Sequence, residues 1–498
     1  MIDPFRKRGR RITSVTDKTL LGPDRPKIAT NRRLKRRAGK AAIKSGRGRM
    51  GRWARHGAMF GLGLVAGYTG LVQIKAAHAD SGTVLTSLAS LRDHGVMLHV
   101  QHTNEMQAMI NAPTPDQGLK KGVGNVGIAT YGADIDWERL AGARGISTHI
   151  VLASGYGSPT SHKFGDYLTP SQATYGGVGN VVIHLVSAYV EKSMLYDRVN
   201  AAAGRMTFLS DFSANPLYCN FMNASFCGNP RTAADNKAHA AFPMSNWATR
   251  ARVQISDVLI AQAGVYLTET EAIYTHHQTR TGFKFNGATI DGVALPVELA
   301  WSPHGGGKRA LPGRYKIGFV YDTARHDSPF QTGSGQSLYL TDGTPRRLKG
   351  SWSAWVMADQ MVWRFQGRGP DAGLTVLGVA YWNSPRTQLR KAQYSLGFLM
   401  RGMVKSRPAD AIGVNASWVQ VSRSVVHAQR EAVRRNGKLP RHVRFPQDGG
   451  GVIEAFYQMH VWRGGSIAPD LQYYINPGLQ PGLRNQLLLG VKTHVEFI

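Results

Sequence analysis

The last thirteen residues, Gln486 to Ile498, constrain the fold more than any other stretch, because their side chains alternate in character. One alternating set is almost wholly apolar: Leu487, Leu489, Val491, Thr493, Val495 and Phe497. The intervening set includes Gly490, Lys492, His494 and Glu496. Successive side chains of a strand point to opposite faces, so this pattern predicts a strand able to cross a membrane in a β-barrel. A strand of a soluble β-sandwich shows the same alternation, so the rest of the chain must decide.

Segments with the same period-two alternation recur after residue 94 and are separated by turn-rich pieces. In residues 313–322 the apolar set Tyr315, Ile317, Phe319 and Tyr321 opposes Arg314, Lys316 and Asp322. Aromatic residues at the ends of apolar sets are typical of interfacial girdles, and mixed charges suit a water-filled lumen. The sequence therefore predicts an all-β chain, a single transmembrane antiparallel β-barrel over residues 80–498. A short amphipathic helix is expected at residues 83–93, where the apolar spacing is helical.

The first 79 residues differ from the remainder. They hold 20 Lys and Arg against 3 Asp, so they account for +17 of the formal charge of +30. From Met50 the order is a short basic stretch, an uncharged apolar run from Gly57 to Ile74, and Ala77-His-Ala79. This order predicts a signal peptide over residues 50–79, cleaved after Ala79, in an exported protein. Residues 1–49 form a basic extension, either a long n-region or a start-site artefact. A membrane anchor is the rival interpretation, and a nucleic-acid partner is not expected.

Two cysteines, Cys219 and Cys227, lie eight residues apart in a segment rich in Asn, Gly and Pro. In an exported chain this spacing predicts a disulfide rather than a metal or catalytic site. No arrangement of His and carboxylates has metal-ligand spacing, so we expect no metal, no cofactor and no enzymatic activity. Glu269 and Glu271 form the one candidate glycosidase pair, which belongs to an alternative hypothesis of a secreted β-sandwich that binds or cleaves polysaccharide.

Short motifs spread through the chain make it similar to the carbohydrate-selective porins of the OprB type. They are Ala203-Gly-Arg205 leading to Asp211-Phe212, the Cys219/Cys227 segment, and residues 246–252, 263–266, 311–318, 321–322, 359–360, 407–410, 469–473 and 476–478. The resemblance implies a barrel of 16 strands in the bacterial outer membrane that passes glucose-like monosaccharides. It also implies contacts with outer-membrane lipid and lipopolysaccharide, and with the barrel-assembly machinery through the C-terminal strand.

Strand parity nominates the side chains that face the lumen and contact mono- or small oligosaccharides. They are Glu298, Arg314, Lys316, Gln360, Arg364, Asp470, Gln472 and Tyr474, with Arg205 added from its motif and Arg401 as a further candidate. For each of them the alternative is a structural charge paired across the wall. A long loop over Thr323–Lys349 is expected to fold over the mouth or inward. The remaining charge of +13 leaves a general, anion-selective or acidic-sugar porin as an alternative function.

Overall fold

The computed structural model describes residues 81–115, 118–175, 180–235, 241–269, 282–283, 290–303 and 311–498. Sixteen strands form one closed barrel in which each strand pairs antiparallel with its sequence neighbours, and β1 closes the ring against β16. The predicted fold class and strand number are confirmed. The strands are β1 Val96–Met109, β2 Val123–Asp136, β3 Ile146–Ser158, β4 Val181–Met194, β5 Val199–Met206, β6 Asn246–Ser256, β7 Leu259–Glu269, β8 Ile290–Trp301, β9 Gly313–Thr332, β10 Pro345–Arg364, β11 Gly373–Asn383, β12 Arg390–Arg401, β13 Ala411–Val421, β14 Gly449–Trp462, β15 Gly465–Ile475 and β16 Gln486–Glu496.

The α-helices of the described residues are α1 Ser81–Asp93, α2 Trp137–Ala141, α3 Phe208–Asp211 and α4 Arg423–Arg434. The first of them confirms the expected N-terminal helix. Among the described residues, none of these helices has the length and apolarity that a membrane crossing requires. The basic extension, the signal peptide and its cleavage after Ala79 lie outside the described residues, so they stay predictions.

The outer face of the barrel is apolar because alternate residues of every strand project away from the lumen. On β16 the predicted apolar set faces outward: Leu489 is 51% exposed, whereas its neighbour Leu488 is fully buried inside. Ile317, Phe319 and Tyr321 of β9 are exposed in the same way. Aromatic side chains of this outer face include Trp301, Trp352, Trp363, Tyr394, Trp418 and Tyr473. These exposed apolar residues form the surface that meets lipid.

The two ends of the barrel differ. The connections after the odd-numbered strands include the longest ones, residues 159–180, 207–245 and 422–448, and we call this side the loop end. The connections after the even-numbered strands are shorter, and the start of β1 and the end of β16 lie with them at the turn end. This asymmetry is typical of outer-membrane barrels, whose short turns face the periplasm.

The loop predicted over Thr323–Lys349 is wrong in its bounds. Strand β9 continues to Thr332 and β10 begins at Pro345, so only residues 333–344 connect them. Polar residues inside these strands made the segment resemble a loop. Asp322 and His326 illustrate the reason: they share one face of β9, and His326 Nε2 lies 2.9 Å from Asp322 Oδ2. Asp322 and His326 are therefore a paired, buried polar contact inside the hairpin.

Gly318 on β9 makes room for the indole of Trp355 on β10. A Cβ at Gly318 would lie 2.2 Å from ring atoms of Trp355, which is fully buried and donates Nε1–H to Glu298 at 2.8 Å. We expect Gly318→Ala to displace the indole and lower the unfolding free energy by about 1–3 kcal/mol. Denaturation followed by the heat-modifiable gel shift measures this loss. Gly378→Ala is the control, because no atom lies within 4 Å of its added Cβ. Equal losses in both variants would contradict the explanation.

Candidate functional site: the lumen and its inward loop

The connection between β5 and β6 enters the barrel, and we call its residues 207–235 the inward loop. The wall holds its backbone. The Glu298 carboxylate on β8 accepts a hydrogen bond from the Ser213 N–H at 2.8 Å. On the opposite side, Lys492 on β16 donates to the carbonyl oxygens of Cys219 at 2.9 Å and Phe221 at 3.0 Å. The loop therefore crosses the lumen instead of lying over the mouth.

Aromatic side chains fix the inward loop on its apolar side. Phe221 packs edge-on against Phe456 of β14, with ring centroids 5.0 Å apart. Phe208 packs in the same way against Tyr266 of β7, at 5.1 Å. Phe208 and Phe221 are fully buried. Burying each such ring contributes about 1.5–3 kcal/mol, so the loop is a firmly attached part of the lumen.

The Glu298 carboxylate contacts several residues of the wall and of the inward loop. Besides the Ser213 N–H it accepts hydrogen bonds from Gln262 Nε2 at 2.9 Å and Trp355 Nε1 at 2.8 Å. Lys316 Nζ lies 3.3 Å away and also donates to the Ala214 carbonyl oxygen at 2.9 Å. Both predicted residues face the lumen, and both hold the first part of the inward loop.

Three other predicted residues, Asp470, Gln472 and Tyr474, meet on β15 beneath the middle of the inward loop. Asn223 of the loop donates to Gln472 Oε1 at 2.8 Å and to the Tyr474 hydroxyl at 2.5 Å. Gln472 in turn donates to Asp470 Oδ1 at 2.9 Å. Glu454 on β14 accepts hydrogen bonds from the backbone N–H groups of Met222 and Asn223. All four wall residues are buried, so the loop lies between them and the open channel.

Three predicted arginines lie on the lumen side nearer the turn end. Arg314 Nε is 3.5 Å from Asp359 Oδ1, which also accepts a hydrogen bond from Asn215 of the inward loop. Arg401 Nη2 donates to Asn220 Oδ1 at 3.3 Å. Arg364 lies opposite Gly373 on β11, and Gly373 lies opposite Arg401 on β12. Residues directly opposite each other point to the same face, so Arg364 faces the lumen as Arg401 does. Asp359 was not nominated, although it belongs to the motif at residues 359–360.

Gln360 was predicted to face the lumen, and the structure contradicts this. Trp355, Met357 and Asp359 point inward, so the next residue of the same strand points outward. There Gln360 Oε1 accepts a hydrogen bond from the Tyr315 hydroxyl at 2.6 Å. The cause is a β-bulge between Met361 and Trp363, which inserts one residue and reverses the alternation. Met361, expected on the lipid face, is consequently buried on the inner side.

Arg205 also departs from its predicted place on the pore lining. Its guanidinium forms a buried ion pair with Glu269 at 2.7 Å, donates to the Ser245 carbonyl oxygen and lies over the Trp247 ring. On β5, Ala202 lies opposite Arg250, which faces the lumen, and Arg205 lies opposite Trp247. Positions 202 and 205 differ in parity, so Arg205 and Arg250 point to opposite faces. Arg205 therefore ties strand ends together at the loop end. Glu269, one member of the candidate glycosidase pair, is therefore held in the ion pair with Arg205. Glu271, the other member, lies outside the described residues.

The two cysteines lie next to each other in the inward loop, with their Sγ atoms 2.7 Å apart. The predicted disulfide stays a prediction. Within the described residues, no group of three or more His, Cys, Asp or Glu side chains is arranged to hold a metal ion.

The lumen face of β1 to β7 carries a polar track that the parity argument did not nominate. Asp134 bridges two histidines: Oδ2 is 2.8 Å from His99 Nε2 and Oδ1 is 2.6 Å from His149 Nδ1. The His149 ring stacks on Tyr189, with centroids 4.8 Å apart. The side chains of His99 and Asp134 remain 40% and 41% exposed, so this part of the wall is uncovered. The alternation of polar residues along these strands was the sequence pattern that could have identified this track.

The track continues to Arg250 on β6, which joins the wall to the inward loop. Its guanidinium donates to Asp211 at 2.5 Å, to Glu191 at 2.7 Å and to Asn200 at 3.0 Å. The Tyr266 hydroxyl donates to the other oxygen of Asp211 at 2.6 Å. Donors, acceptors and an aromatic face thus alternate along a wall that is exposed at His99 and Asp134 and is joined to the inward loop at Arg250. Such a lining can replace water around a polar solute without holding it for long.

Connections at the loop end meet through a stack of three rings. Tyr167 lies between His162 at 4.5 Å and His442 at 4.2 Å, so residues 159–180 contact residues 422–448. Burial, with the nearby His442 and Lys163, lowers the pKa of His162 from 6.5 to about 4. His162 therefore stays neutral in the stack, while a released His162 takes up a proton below about pH 6.5. The closed contact weakens as pH falls from 6.5 to 4.

We expect this weakening to appear as more frequent current fluctuations at pH 4.5 than at pH 7.5 in planar bilayers. His162→Phe keeps a ring in the stack and removes the His162 titration while His442 stays in place, so its fluctuations should depend less on pH in this range. The same pH dependence in the Phe variant would contradict the role of His162.

Comparisons with known proteins agree with this architecture. The family model described as carbohydrate-selective porin, OprB family, matches residues 120–497. Porin B of Pseudomonas aeruginosa is 27% identical over 376 residues, covering 74% of this chain and 80% of that protein. Putative porin QuiX of Acinetobacter baylyi is 26% identical over 308 residues, covering 60% of this chain and 66% of that protein.

A high-pH structure of OprB from Pseudomonas putida has a TM-score of 0.75 at 22% identity, covering 82% of this chain and 96% of that one. At this identity the match supports the fold alone. The family model spans most of the barrel, and the porin family and the barrel fold together point to a channel rather than an enzyme. The chain therefore belongs to the OprB family of carbohydrate-selective porins of the bacterial outer membrane.

Proposed function

We propose that the chain lets glucose-like monosaccharides diffuse passively from the loop end, outside the cell, to the periplasm. The observation that carries this proposal is the inward loop, which is anchored from β6 to β16 and leaves a partly exposed polar wall on β1 to β4. A narrowed lumen with many weak hydrogen-bonding groups favours small polyols over larger solutes.

The open wall and the loop anchors have different proposed roles. His149, Tyr189 and Glu191 are the groups that we propose to contact the sugar, because they line the uncovered side. Arg314, Lys316, Arg401, Asp470, Gln472 and Tyr474 are proposed to shape the opening by holding the loop, and Arg364 is proposed to line the opening beside them. Export through the signal peptide and delivery to the assembly machinery through β16 remain part of the proposal.

A second candidate, the passage of acidic sugars, is favoured by the charge of the loop end. Basic residues cluster on several of its connections: Lys120, Lys121, Lys163, Arg441, Arg444 and Arg484. Such a mouth raises the local concentration of anions.

Liposome swelling with glucose, gluconate and a disaccharide tests both candidates. We expect glucose to accelerate swelling most and the disaccharide least. Faster swelling with gluconate than with glucose would support the second candidate instead. If no sugar accelerates swelling, while the protein is inserted and heat-modifiable, the transport proposal fails.

A further inference from the structure

A cavity of about 510 Å³ opens on the outside of the barrel at the loop end. Helix α4 forms its upper side, and the ends of β12 to β15 form its floor. Trp418 of β13 lines it and is 40% exposed on the lipid-facing surface. Trp418 pairs with Tyr394, which is exposed on the same face. The cavity therefore borders the aromatic girdle and is separate from the lumen.

The cavity is strongly basic. Lys391, Arg423, Arg430 and His427 line it, and Asp448 is its one acidic lining residue. Asp448 is paired with Arg430 at 2.7 Å. Within the described chain, no carboxylate pairs with Lys391 or Arg423. Two cations consequently face this space without a counter-charge.

Helix α4 adds to the positive potential. Arg423, His427 and Arg430 are exposed on one side of the helix, while Val425, Val426 and Ala432 pack inward. The first turn contains Arg423 and no acidic residue, so the positive end of the helix dipole is not offset. An anion in the cavity would complement both the side chains and the helix terminus.

The position of the cavity, beside the lipid-facing surface, favours an anion that carries hydrocarbon chains. Leu396, two residues further along β12 than Tyr394, is 68% exposed and lies about 7 Å deeper, since a strand rises about 3.4 Å per residue. An occupant with an acidic head and hydrocarbon chains would place the head between Lys391 and Arg423. Its chains would extend past Trp418 and Leu396.

We propose that this cavity binds the phosphate-bearing headgroup of an outer-leaflet glycolipid. The guanidinium of Arg423 and the ammonium of Lys391 hold the phosphate, and Trp418 contacts the start of the acyl region. The site lies on the outer face, so it acts independently of sugar passage.

The test is a titration of the purified full-length protein in neutral detergent with bisphosphorylated lipid A. We expect the double variant Lys391→Gln/Arg423→Gln to bind at least about ten-fold more weakly, because two charge-assisted contacts are lost. The matched control, Arg434→Gln/Lys438→Gln, removes the same charge from the same region without touching the cavity, and its affinity should change less than about two-fold. Glucose-driven swelling should be unchanged in both.

Two further probes separate the sources of the anion. Dephosphorylated lipid A should bind the wild-type protein about as weakly as lipid A binds the cavity variant. Inorganic phosphate should bind far more weakly than the lipid. Equal losses in the two double variants, tight binding of the dephosphorylated lipid, or equal binding of free phosphate would each overturn the proposal. The single variants Lys391→Gln and Arg423→Gln decide the question if the double variant does not reach the folded, heat-modifiable form.

Discussion

Excision of the tip of the inward loop is expected to widen the channel and remove its size discrimination. Residues 214–228 can be replaced by Gly-Gly, because the flanking residues already meet: Asn229 Nδ2 donates to the Ser213 carbonyl oxygen at 3.0 Å. The excised piece contains the backbone groups held by Glu454 and Lys492. Without it, single-channel conductance should rise at least about three-fold, since conductance follows the open cross-section.

The same variant should admit a disaccharide almost as fast as glucose in liposome swelling. The excision also removes both cysteines, so Cys219→Ser/Cys227→Ser is the control that keeps the loop length. This control should retain the wild-type conductance and sugar order. An excised loop with unchanged conductance would show that the inward loop does not set the aperture.

Glu298→Ala is expected to be the most destabilising single substitution of the lumen wall. It leaves the Ser213 N–H, the Trp355 Nε1–H and the nearby Lys316 ammonium without their shared acceptor in a buried setting. Removing one partner of a buried ion pair costs about 3–5 kcal/mol. Urea unfolding in detergent, followed by tryptophan fluorescence, measures this loss.

Glu138→Ala is the matched control for Glu298→Ala. The Glu138 carboxylate accepts one hydrogen bond, from the Gly145 N–H at 3.0 Å, in an exposed turn. Its loss should cost less than about 1 kcal/mol. A Glu298 variant no less stable than the Glu138 variant would mean that the buried network does not hold the inward loop in place.

Alternation predicted the barrel because each strand has one face in lipid and one face in the lumen, and only parity is needed to separate them. It worked on β9, β15 and β16, where no irregularity interrupts the outward sets that contain Phe319, Leu471 and Leu489. It failed at Gln360, where the bulge after Met361 reverses the parity, because a bulge has no signature in a single sequence.

The candidate site was less predictable than the wall. The Asn- and Pro-rich segment around Cys219 identified a loop, but nothing local states whether such a loop turns outward or into the lumen. Its direction depends on distant partners such as Glu298 and Glu454, which lie 85 and 232 residues from their backbone donors Ser213 and Met222. The parity argument found several of these partners and nominated them as sugar contacts, while their observed contacts are with the loop.

Block of ion current by sugar tests most directly whether the lumen binds monosaccharides as they pass. In planar bilayers, glucose added in millimolar steps should reduce the open-channel current along a saturating curve, with a weaker effect of a disaccharide. A current that falls only in proportion to solution viscosity, and equally for every sugar, would contradict selective passage through this lumen.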